Sequence, residues 1–334
     1  MADVTYVLPL RREQPDEAAT ADLSAYLRDL SRQVEVVVAD GSPGPVRALH
    51  AAAWGGSART VEVGPPPTGC NGKVVGVIAA LAATTAPRVV VADDDVRWDA
   101  ATLDRALAAL ADADAVVPQN VFDPLPWHAR WDTARSLVNR ALGHDWGGTV
   151  VLRRDALGPD GYDARVLFEN LELERTLRAH GGTVVYRPDL FVVRRAPTTR
   201  KFVEQRVRQA YDSFAQPARL TAELALAPLL GACVVGVVRR RGTARAAWLG
   251  ALTAVLASAV LLAETGRRRA GGTAAWPASS ALWAPAWLVE RAVCVWVAVA
   301  WRARGGVPYA GTRIRRAAHS TAALRGATAR AVAA

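Results

Sequence analysis

Over the first two hundred positions, compact β-branched runs alternate with stretches whose apolar residues recur at helical spacing. Residues 5–9 read as a short first strand. Leu23, Tyr26, Leu27 and Leu30 then repeat with helical period behind Thr20 and Asp22, both capable of capping. Residues 34–39 form a β-branched run closed by the turn signal Asp40-Gly41-Ser42-Pro43. A helix is expected over 72–83, and a buried strand over 88–92 that ends abruptly in Asp93-Asp94-Asp95. Asp99 can cap a helix carrying Leu103, Leu107 and Leu110, and residues 115–118 and 149–152 read as further strands. A helix over 169–180 stops at Gly181-Gly182, and two short strands follow at 183–186 and 190–193. Strands alternating with helices predict an α/β fold with a doubly wound, mainly parallel sheet. No internal repeat is visible.

From about residue 220 the pattern changes. Residues 220–238, 246–263 and 281–301 are apolar runs of roughly the length that crosses a bilayer. The first contains Glu223 and Pro228 and the third contains Glu290-Arg291, groups costly in lipid unless they are paired or face protein. Three crossings would export both the loop with Arg239, Arg240, Arg241 and Arg245 and the arginine-rich tail. If the first run lies in the interface instead, only Arg267, Arg268 and Arg269 are exported, and the positive-inside rule favours that arrangement. Trp276, Trp283, Trp287 and Trp301 suit an interfacial belt, and packing in a soluble helical domain is the alternative.

The chain has 334 residues, enough for one sizeable α/β domain and an appendage, and carries a formal charge of +10. Such a charge suits nucleic acid, anionic lipid or phosphorylated substrates. Aromatic-plus-basic strips that read single strands are not evident, and arginines flanking apolar runs favour a membrane surface over nucleic acid. Cys70, Cys233 and Cys294 are scattered and odd in number, as in a reducing compartment without a disulfide framework. The apolar stretch Val4–Leu10 is too short for a secretory signal, so the first domain is expected in the cytosol.

Asp40 and Asp93 each directly follow a predicted strand, and ligands of open parallel sheets bind beyond the carboxyl ends of the strands, so both should face one crevice. Three consecutive carboxylates repel one another unless a cation is close. A hard divalent ion, which also bridges phosphates, is the natural guest. The local alternative is a solvated turn leading into a helix N-terminus. His50, His128, His144, His180 and His319 share no metal-ligand spacing and read as surface or loop residues. No Walker loop or GxGxxG fingerprint is present, which argues against kinases and dehydrogenases.

Six segments, "VEVVVADGSP", "GCNGKVVGVIAAL", "VVVADDDVRWD", "GGTVVLRRDAL", "FENLELERTLRAHGG" and "EQRVRQAYDSF", occur in that order before the apolar runs. Together they resemble family 2 glycosyltransferases of the GT-A fold, particularly the membrane-attached, processive-like and ceramide-glucosyltransferase-like branches. The resemblance covers about residues 4–215. It implies that Asp40 holds the nucleotide base, that Lys73 lies near the base or phosphates, and that Asp93 and Asp95 are the outer positions of a DxD motif engaging the nucleotide and Mg2+ or Mn2+, with Asp94 the variable middle residue. It places Gly147, Gly148 and Thr149 in a strand-entry loop on the acceptor side, where Trp146 and Asp145 could shape the pocket. It also implies that Gln205, Arg206 and Arg208 belong to a QxxRW-like motif whose arginines can clamp a diphosphate.

Two positions depart from the family pattern. The expected Glu-Asp pair with its catalytic Asp is Glu169-Asn170, and an amide cannot accept the acceptor's proton. Gln209 replaces the motif's tryptophan. Glu169 or Glu172, three apart on one helical face, takes over as base, or the acceptor is already ionised, or catalysis is lost. The expectation is a hexosyltransferase-type, metal-dependent glycosyltransferase domain over 1–215, membrane-associated helices over 216–305 and a basic tail over 306–334. It would pass a sugar, with inversion, from a nucleoside-diphosphate sugar (a UDP-sugar first) to a hydroxyl or phosphate of a lipid or lipid-linked acceptor. The catalytic domain would lie on the cytosolic membrane face. The alternatives are a polyprenyl-phosphate sugar transferase making a lipid carrier, or a catalytically impaired nucleotide-sugar-binding scaffold.

Overall fold

The computed structural model describes residues 3–158 and 161–332, so the last two residues of the expected tail lie outside it. In chain order the elements are β1 (Val4–Leu10), α1 (Glu17–Leu30), β2 (Glu35–Asp40), α2 (Gly44–Trp54), β3 (Arg59–Glu62), α3 (Gly72–Ala82), β4 (Arg88–Ala92), β5 (Val96–Arg97), α4 (Ala100–Ala108), β6 (Ala115–Phe122), α5 (Trp127–Leu142), β7 (Thr149–Arg153), α6 (Glu169–Ala179) and β8 (Val184–Arg194). The helices α7 (Thr199–Tyr211), α8 (Pro217–Arg239), α9 (Gly242–Arg268), α10 (Gly272–Ala275) and α11 (Ala284–Ala303) follow, and α12 (Thr321–Val332) is the last element. By compactness the chain divides into two units. One holds the residues up to Asn120, Trp146–Arg194 and the tail from Tyr309; the other holds Val121–Asp145 and Arg195–Pro308.

The first unit is the expected α/β sheet, in the order β3-β2-β1-β4-β7-β6-β8-β5. Its first half is wholly parallel, with β1 paired to β2 from Thr5↔Glu35 to Leu10↔Asp40 and to β4 on its other side. Alternation along these strands separates two apolar layers, because successive side chains point to opposite faces. Tyr6, Leu8, Val36, Val38 and Val90 pack with Leu23 and Leu27 of α1 and Leu103 of α4. Val7, Val37, Val89 and Val91 pack with Val74 and Val77 of α3 and Leu173 and Leu177 of α6. β7 runs antiparallel to both β4 and β6. Reversal of β7 brings its beginning to the edge where β4 ends, with Ala92 opposite Thr149.

Several expected elements change form. α1 starts earlier than the leucine pattern suggests, because the Asp16 side chain caps it by accepting from Ala19 N. The strands expected at 183–186 and 190–193 are one continuous β8, and Pro188 is tolerated because β5 reaches only Val193 and Arg194. The helix α5 escapes hydrophobic periodicity because its buried face includes Asp132, Thr133, Ser136, Asn139 and Arg140. Two histidines expected at the surface or in loops are buried, His50 wholly and His128 nearly so.

In the second unit three helical stretches, Pro217–Arg239, Gly242–Arg268 and Ala278–Ala303, are long and apolar enough to cross a membrane. Leu229, Val235, Leu249, Leu261, Val293 and Trp296 are exposed on them. The charged residues that burden these runs turn inward. Glu223 accepts from Ser213 Oγ at 2.7 Å and from Arg219 Nε at 2.8 Å, and the Arg291 guanidinium lies 3.8 Å from it. Asp132 binds Arg135 at 2.9 Å and Arg206 at 3.0 Å, and Glu290 approaches Arg206 at 3.7 Å. Burial pushes the Asp132 carboxyl up, but the guanidiniums of Arg135 and Arg206 outweigh it and hold the group well below the usual carboxylate range.

Asp132→Asn leaves Arg135 with only Asp145 and Arg206 with only Glu290 as counter-charge, a loss of up to about 3 kcal/mol. The apparent melting temperature of the detergent-solubilised protein should therefore fall by several degrees. An unchanged melting temperature would contradict this assignment.

Candidate functional site

The site grows from the end of β4. Its β-branched residues Val89, Val90 and Val91 are buried, and the chain leaves the sheet at Ala92, so the next three aspartates stand on a loop at the strand's carboxyl end. Asp93 N donates to Gly148 O at 2.8 Å, which fixes this loop against the start of β7. A Cβ on Gly148 would lie 2.5 Å from Asp93 Oδ2 and 3.0 Å from Arg194 Cζ, so a larger residue there would displace the ends of both side chains.

Each carboxylate of the triplet meets a cation from a distant part of the chain. Lys73, in the first turn of α3, places Nζ 2.6 Å from Asp93 Oδ1 and 2.9 Å from Glu169 Oε1. Arg194, at the end of β8, binds Asp95 through Nε at 3.0 Å and Nη2 at 2.7 Å, and that Nη2 lies 3.4 Å from Asp93 Oδ2. Arg12 approaches Asp94 at 3.7 Å. Burial would depress the Lys73 ammonium, but Asp93 and then Glu169 outweigh it and hold the group above its ordinary value. For Asp95 burial is the largest influence; it raises the carboxyl above the usual range, reinforced by Asp93 and Asp94 and opposed by Arg194. Tyr162 is buried nearby, and burial pushes its phenol up.

Among the described residues no three His, Cys, Asp or Glu side chains converge as a metal cage. The donors are nevertheless of the right kind. Asp93 and Asp95 converge on one Arg194 nitrogen, which marks a cation-sized position between them, and Mg2+ commonly binds through one or two carboxylates together with substrate phosphates.

Other expected site residues take roles visible in the packing. Asp40 is fully buried; Oδ2 lies 2.7 Å from His50 Nδ1 and Oδ1 accepts from Ser42 N at 2.9 Å, so its carboxylate holds the loop after β2 and has no exposed surface. His50 in turn stacks on Trp54, with centroids 4.4 Å apart. Asn170 Nδ2 donates to Gly147 O at 2.9 Å, and Gly148 N donates to Asn120 Oδ1 at 2.6 Å, so the amides shape the 147–148 loop. Thr149 is buried and donates to Val91 O at 2.8 Å, stapling β7 to β4. Trp146 packs edge-on against Phe168 at 5.2 Å. Trp146, Gly147, Thr149, Asn170 and Glu174 line a cavity of about 20 Å³, room for a single water. Asp145 turns to Arg135 and Asn139 within the second unit.

Glu169 and Glu172 are separated by the structure. Glu169 joins the Lys73–Asp93 cluster, whereas Glu172 is fully buried and both its oxygens bind His319. Gln205, Arg206 and Arg208 lie on α7 in the second unit. Arg206 is buried there, donating to Phe202 O and Asp132, while Gln205 and Arg208 are half-buried. Sequence reasoning missed Arg194, Arg12, Tyr162 and the His319 contact. Arg194 closes the strand next to the triplet's turn, but its pairing with residues about a hundred positions away leaves no local signal.

No family model and no curated protein matches the chain. Among solved structures it is similar to a mannosyltransferase from Pyrobaculum calidifontis in complex with GDP-Man and Mn2+, at 19% identity over 88% of this chain and 87% of that one, with a TM-score of 0.49. It is also similar to glucosyl-3-phosphoglycerate synthase from Mycobacterium tuberculosis in complex with Mn2+, UDP and glucosyl-3-phosphoglycerate, at 18% identity over 63% and 78% of the two chains, with a TM-score of 0.37. The same synthase with Mg2+ and UDP gives 17% identity over 63% and 77%, with a TM-score of 0.40. Likeness this distant assigns no role to any residue, and the chemistry rests on the geometry above.

The Lys73 cluster makes a pH-dependent prediction. With a raised lysine pKa, the wild-type contribution is complete below the unfolded value of about 10.4 and constant between pH 5 and 8. Lys73→Met leaves Asp93 and Glu169 facing each other without their shared cation. Their repulsion acts only where both carboxylates are ionised, so it is weaker in acid than above neutrality. The loss in melting temperature relative to wild type should be larger at pH 8 than at pH 5, and an equal loss at both would refute the pairing.

Proposed function

We propose that the chain is an inverting glycosyltransferase that moves a hexose from a nucleoside-diphosphate sugar to an acceptor held at a membrane. The observation that carries this reading is the meeting of Asp93, Asp94 and Asp95 with Lys73, Arg194 and Arg12 at the carboxyl end of a buried strand, beside Glu169. A leaving diphosphate concentrates negative charge, and cations already oriented in a partly buried site stabilise it without reorganisation. The order of the six sequence segments supports the same reading, with residues 1–215 as the transferase region.

Lys73 and Arg194 would turn from their carboxylates to the diphosphate. Asp93 and Asp95 would hold Mg2+ or Mn2+, which when bound neutralises the charge developing on the leaving group. Asp40, buried with His50, sets the loop that borders the base pocket. Glu169 is the proton acceptor for an acceptor hydroxyl, because the other acidic candidate, Glu172, is held through both oxygens by His319. Asn170 fixes Gly147 and cannot act as base. Gly148, Thr149 and Trp146 border the acceptor side.

The apolar exteriors of α8, α9 and α11 support a lipid or lipid-linked acceptor and a bilayer attachment, with the catalytic residues on the cytosolic face. A second reading has a specific observation in its favour. Glu169 must release Lys73 before it takes a proton, and an acceptor that is already a lipid phosphate needs no such release. Lipid mass spectrometry of the product separates the two.

In a donor-binding panel of UDP- and GDP-sugars with Mn2+ or chelator, Asp93→Asn and Asp95→Asn should abolish metal-dependent binding without unfolding the protein. Unchanged donor affinity in both variants would sink the site. Glu169→Gln should keep donor binding but lower transfer by about 10²–10⁴-fold if the acceptor is a hydroxyl. Loss of transfer alone would also dispose of the scaffold reading.

A further inference from the structure

The tail from Tyr309 is packed into the first unit at two points, each next to a residue of the proposed site. The first is Asn71, which caps α3 and is 3% exposed. Its N–H donates to Ala164 O at 2.6 Å, and its Nδ2 donates to Val166 O and Leu167 O, both at 3.3 Å. Its Oδ1 accepts from Lys73 N at 3.0 Å and from Tyr309 Oη at 2.9 Å. One amide thus joins the start of α3, the segment entering α6, and the tail.

The second point is Glu172, three residues after Glu169 on the same face of α6. Its buried carboxylate accepts His319 N at Oε2, 2.7 Å away, and meets His319 Nδ1 at Oε1, also at 2.7 Å. Arg316 bonds to Nε2 of the same ring, which leaves Nδ1 as the ring's donor to Glu172. Arg175, one turn further along α6, donates to His319 O at 2.6 Å. Between the two anchors, Leu167 N donates to Arg316 O at 3.0 Å and Phe168 N to Ala317 O at 2.8 Å, so the tail runs against the stretch that delivers Glu169.

We propose that Tyr309 and His319 are positioning residues: acting through Asn71 and Glu172, they set α3 and α6 so that Lys73 and Glu169 meet over Asp93. The inference rests on the reading of Lys73 and Glu169 as donor-binding and proton-accepting groups. These two residues come from helices 96 positions apart, and nothing local fixes their separation. A displacement of about 1 Å in such a pair is enough to lower turnover by about a hundredfold. The charged Glu172–His319 contact is the stronger anchor, and the neutral Tyr309–Asn71 bond the finer adjustment.

The test uses the full-length protein in detergent, with UDP-glucose and GDP-mannose as donors in the presence of Mn2+. Tyr309→Phe should raise donor KM by about three- to tenfold, and His319→Ala by about tenfold or more with a fall in kcat. His319→Asn should recover most of that loss, because its Nδ2 stands where the ring Nδ1 donates. On a Lys73→Met background Tyr309→Phe should change donor affinity no further, since there is no ammonium left to position. Wild-type kinetics in both tail variants, or an equal loss of affinity with and without Lys73, would overturn the proposal. If the wild-type protein binds neither donor, the transferase reading fails separately. Hydrogen–deuterium exchange then decides the tail: faster exchange over 71–77 and 164–172 in the variants upholds the bracing, and unchanged exchange removes it.

Discussion

The ammonium of Lys73, shared by Asp93 and Glu169, is the contact that gathers the first unit's separate elements to one point. A partly buried cation needs its counter-charges, and two partly buried carboxylates need theirs, so the three groups are stable together and costly apart. The constraint ties three elements to one point: the first turn of α3, the end of β4 and the first residue of α6. Arg194 repeats the arrangement on the other side of the triplet, bridging Asp93 and Asp95. The loop after β4 thus holds its three adjacent carboxylates against Lys73, Arg194 and Arg12.

The second unit reverses the usual distribution of polarity. Asp132, Arg135, Arg206, Glu223, Glu290 and Arg291 lie inside, and Leu229, Val235, Leu249, Leu261 and Trp296 lie outside. A helix bundle in water does the opposite. Charges in apolar helices become tolerable when they face protein and pair there, and the pairs among α5, α7, α8 and α11 provide this. Arg206 illustrates the consequence. A residue that motif reasoning assigns to a diphosphate is engaged with Asp132 in the interior of the bundle.

Elements with a clean period were legible from the residues alone. β4 and α3 lie within a residue of their expected limits, and the capping of α4 by Asp99 follows from its position. Elements whose buried face is polar were not. α5 hides Ser136, Asn139 and Arg140, and hydrophobic periodicity has no means of reporting burial that hydrogen bonds sustain. The two short strands expected at 183–186 and 190–193 are one strand, because Pro188 lies beyond the short reach of β5. Within the candidate site, Asp93 was visible because it directly follows a buried strand, and Asp95 through the resemblance of the triplet to a DxD motif. Arg194, Arg12 and His319 were not, because each arrives through contacts between segments remote in sequence.

The sequence by itself determined that an α/β sheet precedes three apolar helical runs, and that three carboxylates stand at the end of one strand. Those facts depend on local period and on the charge of adjacent residues. Tertiary structure decided what the sequence left equivalent. Glu169 and Glu172 sit on one helical face with the same side chain, yet one faces Lys73 and the other is enclosed by His319. Asp40 and Asp93 both follow strands, yet one is sealed beneath His50 and the other opens onto the cation cluster. In each pair the chemistry of the carboxylate is identical, and the difference is set by which distant segment packs against it.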